Sequence, residues 1–161
     1  YVLPSLIALK RKEGEKLCEY ELGLTEDLKP CGFRDKDVWF RGIADLIILD
    51  RENKLAWVVD YKTGKSARYA DKGQLELMAL AVFIHFPEIE EVRGGLLFVV
   101  CKQLITETYS YCGHQSSLID KYTNKFRQMI IASDSGVWNA KPSGLCRRHC
   151  DVVQCVHNGR N

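Results

Sequence analysis

Gly42-Ile43-Ala44-Asp45, Leu46-Ile47-Ile48-Leu49, Asp50-Arg51-Glu52-Asn53-Lys54, Leu55-Ala56-Trp57-Val58-Val59, Asp60-Tyr61-Lys62-Thr63-Gly64-Lys65 and then Gln74 form the stretch from which the rest of the chain is read. Two short apolar, β-prone runs flank a charged turn, the signature of a hairpin. A four-residue loop, Arg51 to Lys54, pairs Asp50 with Leu55 and brings Asp45 opposite Asp60. Side chains alternate between faces, so Lys62 shares the face of Asp60 and Tyr61 points the other way. Facing carboxylates repel unless a cation lies between them. Mg²⁺ suits that position, because it takes oxygen ligands, keeps several waters and is held by one or two carboxylates plus substrate phosphate. Lys62 then stands where it can orient or deprotonate an attacking water and offset transition-state charge.

Gly-Ile-Ala-Asp, Asp-Tyr-Lys-Thr-Gly and Gln74-Leu-Glu-Leu-Met78, in that order and in a strand-turn-strand-helix context, resemble the PD-(D/E)XK nuclease superfamily. The resemblance is to its RecB-like exonuclease branch, which includes many phage-encoded members, and it covers roughly residues 20 to 100. It implies that Asp45 and Asp60 hold Mg²⁺ or Mn²⁺ and that the Tyr61 backbone carbonyl adds a ligand. It also implies that Lys62 assists the water and that Gln74 positions Lys62 or the phosphate. Two features depart from the pattern. Met78 occupies the place of a tyrosine that usually follows the glutamine by four residues, and no histidine precedes His85. Glu21 is a candidate extra acidic residue on the first strand, and Arg41 a candidate phosphate contact. Asp-x-Lys before Thr-Gly also occurs in turns that do no chemistry; the presence of both aspartates with the lysine favours a working site.

At 161 residues the chain fits one domain with a real core, residues 1–161, in which 1–16 is the remnant of an N-terminal helix and 138–161 a cysteine-rich tail. Its 46% hydrophobic and 27% charged residues exclude disorder as the default. The net charge of +2 is unevenly spread: residues 121–161 carry seven Lys and Arg against two Asp, which leaves 16 basic and 19 acidic residues before them. A basic C-terminal portion can follow a phosphate backbone, or be a solvated tail. No apolar run is long enough for a membrane span, and no export signal opens the sequence, so a cytoplasmic protein with reduced thiols is expected, in a bacterial host if phage-encoded.

Strands are expected at Leu17–Leu24, Gly95–Cys101 and Leu104–Tyr111, and a buried helix from Gly73-Gln74 to Phe86, stopped by Pro87. Gln74 falls in the first turn of that helix, where the backbone favours phosphate. His85, at its other end, reads as a packing or surface residue. A capping-box-like Ser117-Leu-Ile-Asp120 starts a further helix to about Ser133, with Ile119, Tyr122, Phe126, Met129 and Ile130 at core spacing.

In the tail, Cys146, His149, Cys150, Cys155 and His157 lie within twelve residues. Zn²⁺ accepts Cys3His sets, so Cys146, Cys150, Cys155 and His157 form a complete structural site, with His149 as an alternate. The competitor, suggested by RecB-like relatives, is a [4Fe–4S] cluster in which Cys31 or Cys18 supplies the distant thiolate. Zinc is favoured, because the cysteine intervals depart from that group's and a histidine is at hand.

The whole reads as α/β: a restriction-endonuclease-like core of mixed β-sheet flanked by helices, with a metal-bound Cys/His tail. The expected activity is metal-dependent hydrolysis of DNA, from an end, in phage replication, recombination or repair, with a phage recombination or replication protein as a possible partner. The alternatives are a non-catalytic DNA-binding or assembly module held by a structural metal, and a metal-stabilised protein-binding domain.

Overall fold

The computed structural model describes residues 4–68 and 70–159; the first three residues of the expected helix remnant lie outside them. The element order is α1 (Pro4–Arg11), β1 (Glu15–Thr25), β2 (Pro30–Cys31), β3 (Val38–Asp50), β4 (Leu55–Lys62), α2 (Lys72–His85), β5 (Glu91–Phe98), β6 (Gln103–Ser110), α3 (Tyr111–Ser135) and α4 (Gly144–Arg148). Six strands form one mixed sheet in the order β2-β1-β3-β4-β5-β6. Only the β4–β5 pair is parallel, joined by the crossover through α2. Packing divides the chain into two compact units, Tyr1–Tyr122 and Thr123–Asn161.

The β3–β4 hairpin has the expected register: Leu46 faces Val59 and Asp50 faces Leu55. Its loop is closed by Asp50, whose carboxylate accepts from the Asn53 side chain at 2.8 Å and from the Asn53 backbone at 3.1 Å. These bonds hold the Asp50 carboxyl below its usual pKa range. Gly14 turns the chain into β1 at φ 116°, and a Cβ there would meet the Leu49 carbonyl oxygen at 2.6 Å, so only glycine fits.

Each face of the sheet has its own apolar cluster. Leu22, Leu24, Ala44, Ile47, Leu49, Ala56, Val58 and Leu96 pack with α2, and Leu118 and Tyr122 join them. Leu46, Ile48, Val59 and Leu97 pack with Leu9 of α1. α2 is buried from Leu75 to Phe83 on nearly every side, as its apolar sequence requires. It begins at Asp71, whose side chain accepts from Gly73 N, and ends before Pro87 with Phe86 N donating to Val82 O. Its His85 is a packing residue, with Nε2 2.8 Å from Gly23 O.

Three expectations are corrected. α3 starts at Tyr111, six residues before Ser117, which sits inside the helix and donates to His114 O. Ser110 is the cap: its Oγ accepts from Gly113 N, and its own N–H donates to His114 Nδ1, a reciprocal pair in which histidine replaces the usual acidic residue. The core spacing also ends early, because the cluster under the sheet stops at Tyr122, while Met129 and Ile130 are exposed. In addition, the strand expected at Gly95–Cys101 is already paired from Glu91 and ends at Phe98.

Candidate active site

Strand alternation alone does not produce the site. Along β1, Leu17 and then Tyr20, Leu22 and Leu24 pack toward α2; along β3, Leu49 and Ile47 do so and then Ala44. Both strands therefore change face between these residues. The change falls on Glu19 and Asp45, the pair missing from the ladder between Cys18–Leu46 and Tyr20–Ala44. Glu19 adopts φ 49°, a left-handed conformation that costs a non-glycine residue about 1–2 kcal/mol. The β3–β4 ladder likewise stops at Leu46–Val59, one step short of Asp45 and Asp60. In place of a ladder bond, the Tyr61 N–H donates to Asp45 Oδ2 at 2.6 Å. This fastens the half-buried Asp45 carboxylate to the strand that carries Asp60.

Asp60, Lys62 and Gln74 form a closed group. The Gln74 amide donates to Asp60 Oδ1 at 2.6 Å, and its Oε1 accepts from Lys62 Nζ at 2.8 Å. Lys62 Nζ also lies 2.6 Å from Asp60 Oδ2. That contact is an ion pair without hydrogen-bond geometry, since Asp60 Oδ2 is a buried oxygen with no hydrogen-bond partner. Asp60 is only 9% exposed. A buried carboxylate oxygen that makes no hydrogen bond is unfavourable unless a charge compensates it. The Lys62 ammonium at 2.6 Å supplies that charge here, and Asp60 and Asp45 together offer the hard oxygen donors that a divalent cation takes.

The first turn of α2, which carries Gln74, is tied down from α3. The Tyr122 hydroxyl donates to Gly73 O at 3.1 Å and to Glu76 Oε2 at 2.8 Å, and Lys121 pairs with the same Glu76. Burial, reinforced by the Glu76 bond, pushes the Tyr122 phenol well above its ordinary pKa. The sequence analysis assigned Tyr122 to the core and missed this anchoring. Burial also raises the Tyr61 phenol, with Cys18 and Asp45 adding to it.

The remaining candidates are distributed differently. Arg41 is exposed on β3, its guanidinium 5.7 Å from the centre of the Phe33 ring. Glu21 is exposed on β1 opposite Ile43. Cys18 stands opposite Leu46 on β1 and Cys31 opposite Gly23 on β2; burial raises the Cys31 thiol, with Asp35 and Asp37 adding to it. The tail set of Cys146, Cys150, Cys155 and His157 is not gathered: among the described residues no group of three or more His, Cys, Asp or Glu is arranged to hold a metal. Asn158 ties the tail together. It is 4% exposed and donates through Nδ2 to Cys150 O at 3.1 Å and Val152 O at 2.9 Å, and through its backbone to Cys155 O at 2.8 Å. No described helix is long and apolar enough to cross a membrane.

A family model described as the PD-(D/E)XK nuclease superfamily matches residues 4–155. No curated protein matches the chain. Among solved structures, one titled "Crystal structure of SSO0001" aligns with a TM-score of 0.41 and 12% identity, over 78% of this chain and 55% of its own. The present chain thus spans little more than half the length of that protein.

Proposed function

The chain belongs to the PD-(D/E)XK nuclease superfamily, and from that premise we propose that it is a metal-dependent deoxyribonuclease whose centre is Asp45, Asp60, Lys62 and Gln74. Its mixed sheet with flanking helices is consistent with the superfamily's restriction-endonuclease-like core. The observation that supports the reading most is Gln74 joining Asp60 to Lys62 beside a buried, hydrogen-bond-free Asp60 oxygen.

Asp45, Asp60 and the Tyr61 carbonyl would hold Mg²⁺ or Mn²⁺. When bound, such a cation polarises the phosphodiester and acidifies water. Asp45 is kept in position by the Tyr61 N–H. Gln74 fixes the Asp60 carboxylate through Oδ1 and aligns the Lys62 ammonium, which lies against Oδ2. Lys62 in turn orients the attacking water and offsets charge that develops on phosphate oxygens. Cutting from an end, the RecB-like branch, and a phage replication, recombination or repair setting with a phage protein partner are the finer parts of this reading and rest on the motif resemblance. A structural Zn²⁺ at Cys146, Cys150, Cys155 and His157, or a [4Fe–4S] cluster with Cys31 or Cys18, is likewise a finer part of the reading and rests on residue spacing, since no group of three or more such ligands is arranged for a metal among the described residues.

The test is incubation of end-labelled linear single- and double-stranded DNA with Mg²⁺ or Mn²⁺. Metal-dependent loss of label into mono- and short oligonucleotides supports an exonuclease, and long internal fragments an endonuclease. DNA retention that survives EDTA, with no turnover under any metal, replaces the enzyme with a binding module.

A further inference from the structure

A cleft of about 280 Å³ opens beside the catalytic group. Phe40 and Ile43 of β3 face Leu77 and Met78 of α2 across it, and Arg41 and Gln74 complete its lining. Gly42 lets the walls approach: a Cβ there would come within 3.0 Å of both Met78 Cε and Phe40 Cζ. Met78 is buried, whereas Ile43 is 42% exposed and Arg41 is exposed. The cleft is therefore an apolar slot with a soft thioether and an aromatic ring in its walls and one cation at its surface. Gln74 belongs to both places, because the side chain that lines the slot also binds Asp60 and Lys62.

We infer that this cleft is a nucleotide subsite, taking an unpaired base of the DNA strand next to the bond that is cut; the inference rests on the nuclease reading above. Every base presents an apolar π-face, so an aromatic and apolar slot binds bases with little regard to sequence, while an adjacent arginine suits the phosphate. The volume of about 280 Å³ lies just below the range of ligand pockets, about 300–1,000 Å³, which suits one base and excludes a duplex. A base that is stacked and paired cannot reach into such a slot unless it leaves the helix. The substrate is thus a single strand or a frayed end, held by its base in the cleft while Gln74 keeps the neighbouring carboxylate and lysine aligned.

The experiment compares kcat/KM of the protein on blunt duplex, on single-stranded DNA, and on single strands with one abasic nucleotide moved stepwise from the labelled end. Single strands are expected to be cut faster than blunt duplex. One abasic position, adjoining the cut, is expected to lower kcat/KM by about tenfold, the scale of one base stacked on an aromatic side chain. Leu77→Trp, which fills the slot from a residue outside the catalytic group, is expected to lower single-strand cutting to the abasic level and to remove any further abasic effect. Phe40→Ala serves the same comparison should Leu77→Trp not fold. Uniform cutting of all abasic substrates, or equal rates on blunt duplex and single strand, would overturn the subsite while leaving the nuclease intact. Absence of cutting by the wild type on every substrate sinks the nuclease reading. The subsite is then decided by fluorescence anisotropy of a labelled single strand, where equal affinity for wild type and Leu77→Trp, or none, rejects it.

Discussion

Gln74 donates to Asp60 at 2.6 Å and accepts from Lys62 at 2.8 Å, so one neutral side chain clamps an acid and an ammonium group that themselves lie 2.6 Å apart. A carboxamide is needed because the position must donate to one partner and accept from the other. Gln74→Ala is expected to reduce DNA cleavage by about 10- to 100-fold, the usual effect of losing a partner that orients a metal-binding carboxylate. Gln74→Glu, which can only accept when ionised, should fall in the same range. Cleavage rates across a Mn²⁺ titration check this, and a Gln74→Glu variant as active as wild type would show that the amide's donor is not used.

Glu19 and Asp45 face each other at the point where both strands change face, and the left-handed backbone is carried by Glu19. Glycine meets no Cβ clash in that conformation, so Glu19→Gly should preserve cleavage and raise stability by up to about 1 kcal/mol. Glu19→Val should lower stability and, by disturbing Asp45, lower activity as well. Thermal melting beside cleavage rates reads both.

Tyr109 supplies a pH prediction. Burial, then the charges of Glu76 and Glu107, push its phenol from 10.0 up to about 12. A folded-state pKa above the unfolded value means that the folded protein favours the protonated phenol. The stabilisation is complete below the unfolded pKa near 10 and is lost as pH rises toward about 12. Tyr122, raised in the same direction, steepens the loss. Denaturant midpoints should hold steady up to about pH 10 and then fall. Tyr109→Phe should flatten that fall, and an unchanged slope would contradict the assignment.

Asn158 is the clasp of the tail. Asn158→Ala removes the side-chain donor to the Cys150 carbonyl and one of two donors to the Val152 carbonyl, which still accepts from the Cys155 N–H at 3.2 Å, a loss of about 0.5–1.5 kcal/mol per hydrogen bond. Faster amide exchange over residues 144–159, with exchange in β3 to β5 unchanged, is the expected outcome. Slowed or unaltered exchange in the tail would show that something other than Asn158 closes it.

Much of the site was legible because it rests on local signals. Two apolar runs and a charged four-residue turn set the register of β3 and β4, and an apolar helix ended by Pro87 brings Gln74 to its first turn. The face change at Glu19 and Asp45 was not legible: nothing in a glutamate announces φ 49°, which is imposed by the neighbouring strands. A simple alternation argument consequently put Asp45 directly opposite Asp60, whereas the link between them runs through the Tyr61 N–H. The start of α3 was hidden because Gly113 and His114 resemble loop residues, and only the fold lets His114 accept from Ser110. In the tail, cysteine spacing suggested a metal, while the structure closes the loop with asparagine hydrogen bonds, which spacing cannot reveal.

The most direct test of the account is the rate of linear DNA cleavage at saturating Mn²⁺ by wild type, Asp60→Asn and Lys62→Met, with folding of each verified by its melting temperature. Metal-dependent cleavage by wild type, lost by both folded variants, is the predicted result. Equal activity in all three, or none in any, would contradict a nuclease centred on Asp60 and Lys62.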